Sequence, residues 1–187
     1  MSEKNERAHH VCPWYTAYLF DNPLRRLIHD PAKILGQYVK PGMTVIDVGC
    51  GMGFFSLGMA RLVGSEGKVI SLDIQPQMLR ILERRALRMD LSHRIKTRLI
   101  PYDGLGLFEP VDFALCFWMV HETPDQALFF SQVMESLVPG ARILIAEPGM
   151  HVTDEELENS VQLAEAVGFR EEDRPRIRLS RSVVLRK

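Results

Sequence analysis

Apolar residues in this chain fall into two alternating rhythms. Short apolar runs mark strands: Val45, Ile46 and Val48 form a β-branched run that suits a strand buried on both faces of a parallel sheet, and the stretch VDFALCF at Val111–Phe117 reads as another strand. Between them, apolar residues recur at every third or fourth position. Residues 76–89 place Met78, Leu79, Leu82, Ala86 and Met89 on one helical side and leave Arg80, Arg84 and Arg88 on an exposed stripe. The pattern predicts strands over 44–48, 68–72, 95–100, 111–117 and 142–146. It predicts helices over 31–39, 54–63, 76–89 and 153–167, and one that starts at Pro124 with Leu128, Phe129, Val133, Met134 and Leu137 as its apolar positions.

Local signals mark several boundaries. Asp30-Pro31 reads as an N-cap followed by proline at the first helical position, and Thr153-Asp154-Glu155-Glu156 is a capping box. Two short segments near the end, 176–179 and 182–186, are expected to form an antiparallel hairpin. Strands and helices in alternation imply an α/β fold: a doubly wound, mostly parallel seven-stranded sheet with helices on both faces and that hairpin at its C-terminal end. The expected organisation is an N-terminal segment, 1–30, and a domain, 31–187. Within the first, residues 11–20 gather Trp14, Tyr15, Tyr18 and Phe20, either as packing or as a cover over a ligand site.

Composition narrows the function classes. A formal net charge of −1 gives no field to draw the chain to nucleic acid or an anionic membrane. The cysteines, Cys12, Cys50 and Cys116, are odd in number and widely spaced, which suits a reducing compartment. With no apolar run long enough to span a bilayer and no signal-peptide pattern at the start, a cytoplasmic location is expected. His9, His10 and Cys12 lack a fourth ligand and zinc spacing, so no metal site is expected.

The chemistry concentrates in Asp47-Val48-Gly49-Cys50-Gly51-Met52-Gly53, where a strand meets a helix. Three glycines allow a tight turn with close backbone approach to a ligand. The dinucleotide frame G-x-G-x-x-G fails, because counting from Gly49 ends on Phe54 and counting from Gly51 ends on Ser56. The frame present, D-x-G-x-G-x-G, sets a carboxylate at the strand end. Such a charge repels a pyrophosphate and suits a ligand carrying an ammonium and a sulfonium. Asp73, twenty residues after Gly53, ends the second strand, where an acidic side chain can take both hydroxyls of a ribose or cap the next helix.

These residues resemble the class I S-adenosylmethionine (SAM)-dependent methyltransferases, as does Leu137-Val138-Pro139-Gly140-Ala141 before the fifth strand. The resemblance spans 31–187 and implies SAM as cofactor and a small-molecule acceptor. It assigns the donor to Asp47, Gly49, Gly51, Gly53, Asp73, Ile74 and Phe117, with Asp103 at the adenine amino group. The loop after the fourth strand then lines the place where methyl meets acceptor, and His121 is the candidate general base. A SAM-binding module without turnover and an NAD-dependent dehydrogenase are the alternative readings.

Overall fold

A computed structural model describes residues 25–106 and 109–187. The aromatic segment 11–20, with His9, His10 and Cys12, lies outside the described residues.

The short helices α1 (Arg25–Ile28) and α2 (Pro31–Leu35) precede the first strand, β1 (Thr44–Val48). The chain then alternates: α3 (Phe54–Leu62), β2 (Lys68–Asp73), α4 (Pro76–Arg88), β3 (Ile95–Leu99), β4 (Val111–Phe117), α5 (Gln126–Ser136), β5 (Leu137–Pro148) and α6 (Asp154–Ala166). It closes with β6 (Arg170–Asp173) and β7 (Ser180–Arg186). The seven strands form one sheet in the order β3-β2-β1-β4-β5-β7-β6. The first five are parallel, and β7 runs antiparallel to both β5 and β6.

Strand alternation sorts the core into two layers. Ile46 and Val48 face Phe130 and Val133 of α5 and Val161 of α6, whereas Val45 faces Leu35, Met59 of α3 and Leu82 of α4. The chain leaves β1 toward β2 and β3, then returns to β4 on the other side. That reversal opens a crevice beyond the carboxyl ends of β1 and β4, the place where open α/β sheets bind ligands. Every functional feature described below sits there.

Several expected boundaries move, each for a local reason. The first expected helix ends at Leu35 instead of residue 39, because Gly36 closes it, although Val39 still reaches the core at 2% exposure. Pro124 does not open α5. Asp125 is the N-cap, accepting a hydrogen bond from the Leu128 N–H at 2.9 Å. Met89 and Leu128 are exposed apolar residues, not core. The capping box at Thr153 forms as read, with both of its hydrogen bonds present.

The fifth strand is longer than expected. Val138-Pro139-Gly140 is looped out inside it, where the pairing jumps from Val111↔Leu137 to Phe113↔Arg142. The hairpin is also displaced: β6 is Arg170–Asp173, and 176–179 belongs to the loop. All four residues of β6 are exposed, since a charged edge strand needs no apolar face. Within 176–179, the alternation is broken by Leu179, whose φ of 60° is incompatible with a strand.

Candidate active site

The glycine loop is shaped by backbone that other residues resist. Gly49, Gly51 and Gly53 have φ of +67°, +53° and +84°. Their surroundings differ. A Cβ on Gly49 would stand 2.9 Å from Met119 Cβ, and one on Gly53 would stand 2.1 Å from Leu82 Cδ1. A Cβ on Gly51 would meet nothing within 4 Å. Gly49 and Gly53 are therefore packing positions, and Gly51 is where the backbone is bare.

Two buried carboxyls brace this loop. Asp47 is 2% exposed and accepts a hydrogen bond from Ser56 Oγ at 2.5 Å, and Ser71 Oγ donates to the same serine at 2.9 Å. Burial pushes Asp47 up to about 7, against the opposing pull of the Ser56 hydrogen bond. Asp73 accepts from the Gly51 N–H through Oδ2 and from the Gln75 N–H through Oδ1, each at 2.8 Å. Burial raises its pKa too, although those backbone donors pull it down. Gln75 is the N-cap of α4, so Asp73 is not a simple helix cap. It ties the end of β2 to the glycine loop.

Beside the loop lies a cavity of about 1030 Å³. Asp47, Gly49, Gly51, Asp73, Ile74, Asp103, Phe117 and His121 all line it, and Gly53 does not. The expected site residues are thus brought together from four strand ends, with Gly53 behind them at the start of α3.

The far wall comes from the end of β4. Trp118 takes a left-handed backbone with φ of 60°, its N–H donating to the Ala146 carbonyl at 2.7 Å and its indole Nε1 to Ser180 Oγ at 2.9 Å. The chain then makes one 3₁₀ turn, Val120–Glu122. Here the structure adds a residue that the sequence placed only in a short connection: Glu147, at the end of β5 and 1% exposed. Its Oε1 accepts from the Val120 N–H at 2.8 Å, and its Oε2 accepts from His121 Nδ1.

A carboxylate on Nδ1 fixes the proton there and leaves Nε2 as the basic atom. Burial pulls the His121 pKa down, but the hydrogen bond and charge of Glu147, with Glu122 and Glu156 beyond it, more than offset this, and the imidazole titrates above 6.5. The sequence signal for Glu147 was a carboxylate directly after the apolar run Ile143–Ala146, at the carboxyl end of a parallel strand. Two more lining residues escaped the sequence reading, Arg25 and His29. The Arg25 guanidinium lies 4.6 Å from the Phe54 ring centroid and 5.5 Å from that of Trp118, within cation–π range.

Residues 39–175 match the family model of a methyltransferase domain. The chain belongs to that family. Among curated relatives of this methyltransferase domain, a demethylmenaquinone methyltransferase of Oceanobacillus iheyensis is 27% identical over 156 residues, 78% of this chain. A ubiquinone biosynthesis O-methyltransferase of Xanthomonas campestris is 26% identical over 138 residues, 71% of this chain. The chain spans 63% of the length of the first and 55% of the second. In solved structures, a SAM-dependent methyltransferase from Aquifex aeolicus superposes with a TM-score of 0.82 at 23% identity, covering 93% of this chain and 97% of that one. The fold expected from the class I resemblance is therefore the fold observed.

The residues fit SAM as the methyl donor. Gly51 offers an unobstructed backbone face, as close approach of a ligand requires. Asp47 is a buried carboxyl pushed up to about 7, which an ammonium group would restore to its ionised form. Arg25 lines the same cavity. Asp73, Ile74 and Asp103 line the cavity with them.

Proposed function

We propose that this domain transfers the methyl group of SAM to a small-molecule acceptor, with His121 as general base. The observation that carries the reading is the His121–Glu147 pair on the wall of the cavity that the glycine loop closes from the other side. The names of the two curated relatives, which concern quinone biosynthesis, support a small-molecule acceptor.

When bound, the donor supplies a methyl carbon whose bond to a positive sulfur breaks with both electrons going to sulfur. The chain's own part is alignment, proton removal and exclusion of water. His121 Nε2 takes the proton of the acceptor as the acceptor atom bonds to carbon, and Glu147 holds the resulting imidazolium by charge and by hydrogen bond. Phe117 and Trp118 present apolar surface to the same space, which keeps the site dry.

Two measurements test donor recognition. SAM or its demethylated product at about 100 times its dissociation constant adds roughly 2.7 kcal/mol, which for a chain of this size is about 5 to 10 °C in Tm. NAD is expected to leave Tm unchanged, and an equal shift with NAD would revive the dehydrogenase reading. Second, Asp73→Ala is expected to weaken SAM binding by about 1.5 to 3 kcal/mol, roughly 10- to 150-fold. It also strips the Gly51 and Gln75 amides of their acceptor, so Tm falls as well. An unchanged dissociation constant in the folded variant would leave Asp73 a structural tie between two loops.

A further inference from the structure

A second histidine lines the cavity and the chemistry above does not use it. His29 is 2% exposed and follows α1. Its Nε2 lies 2.7 Å from the Arg178 carbonyl oxygen. A carbonyl only accepts, so Nε2 carries the proton and Nδ1 carries the lone pair. Among the described residues no hydrogen bond to Nδ1 is present, and His29 lines the cavity. Burial lowers the His29 pKa despite the raising effect of the Arg178 carbonyl, which keeps the ring neutral and the lone pair available.

The ring stands edge-on to the two aromatic residues that end β4, 5.1 Å from the Phe117 centroid and 5.3 Å from that of Trp118. The wall it joins is over-determined. Trp118 and Leu179, two of the three non-glycine residues with positive φ among the described residues, both line the cavity. Hydrogen bonds from His29 to Arg178 and from Trp118 to Ser180 strap the β6–β7 loop across them. Strain of this kind persists where the surroundings hold it, and it gathers at ligand sites.

Resting on the methyl-transfer reading, we propose that His29 is a recognition residue of the acceptor site. Its Nδ1 accepts a hydrogen bond from one hydroxyl of a planar aromatic acceptor whose other hydroxyl meets His121. The aromatic wall takes the ring face, His121 takes the proton of the hydroxyl that is methylated, and His29 selects for the second donor. A site built to bond a hydroxyl rejects analogues lacking it, because the buried acceptor atom is then unpaired.

The test is calorimetric titration of the full chain, saturated with S-adenosylhomocysteine, using 2-naphthol and its 2,3-, 2,6- and 2,7-dihydroxy counterparts. At least one diol is expected to bind fivefold or more tighter than 2-naphthol. In His29→Phe that preference falls below twofold, and His29→Gln, whose amide can both donate to Arg178 and accept from the ligand, restores part of it. The ¹⁵N resonance of His29 Nδ1 in the unmutated protein should shift with the preferred diol and not with 2-naphthol, a readout that needs no variant to fold. Equal affinity for all four probes, or a diol preference that survives in His29→Phe, overturns the proposal and leaves the donor reading intact. Failure of S-adenosylhomocysteine itself to bind overturns both.

Discussion

His121→Phe is expected to lower turnover by about 10²- to 10⁴-fold, the range that a positioned general base contributes, while SAM affinity changes little and Tm falls by several degrees, because the buried Glu147 Oε2 loses its donor. The separation follows from place: His121 stands on the turn after β4, whereas the glycine loop, Asp47 and Asp73 belong to β1 and β2. Glu147→Gln is the sharper companion. Both oxygens of Glu147 accept, one from the Val120 N–H and one from His121 Nδ1. A glutamine must turn its NH₂ toward one of them. Facing Val120, it sets two donors against each other in a buried place, at a cost of about 1 to 3 kcal/mol. Facing His121, it forces the proton onto Nε2 and removes the base, so a loss on the order of 10²-fold or more follows.

The pH profile distinguishes these roles. With His121 as the proposed general base its neutral form is the active one, so activity is expected to rise with pH through its pKa, which the Glu147 carboxylate raises. Without that carboxylate the balance tips toward burial, and the acid limb moves to lower pH as the plateau falls. A limb that stays in place in Glu147→Gln, measured as S-adenosylhomocysteine formed against pH, would show that His121 is not the titrating base.

The parts of this site that the sequence revealed are those whose information is local. The glycine loop, the run at β4 and the capping box at Thr153 each declare themselves within a few residues, because turn geometry, burial on both faces and helix entry are set by near neighbours. Glu147 was not legible as a partner of His121, since the two meet through strand register: Phe117 pairs with Ala146, which brings the residue after Ala146 beside the turn after Phe117. His29 and Arg178 are farther apart still, 149 positions along the chain, and join only because β7 returns antiparallel beside β5. The misplaced hairpin has the opposite cause. Residues 176–179 carry an alternation that looks like a strand, while β6 shows none because it lies at an edge.

Within the glycine loop, alanine at two positions only two residues apart is expected to fail in different ways. Gly53→Ala is a stability lesion. A left-handed alanine costs about 1 to 2 kcal/mol, and its Cβ would press on Leu82, which is fully buried, adding roughly 1 to 3 kcal/mol of overpacking. At about 2 to 4 °C per kcal/mol for a chain of this size, Tm should fall by roughly 5 to 15 °C. Gly51→Ala meets no protein atom within 4 Å, so only the backbone term applies and Tm falls by a few degrees. Its methyl group, however, enters the bare face proposed for the donor. A steric cost of about 1 to 3 kcal/mol there corresponds to SAM binding weakened roughly 5- to 150-fold. Melting curves with titration of SAM into both variants decide the matter. Gly51→Ala binding SAM as tightly as the unmutated chain would mean that the donor does not pass over this loop, and the assignment of the cavity would have to change.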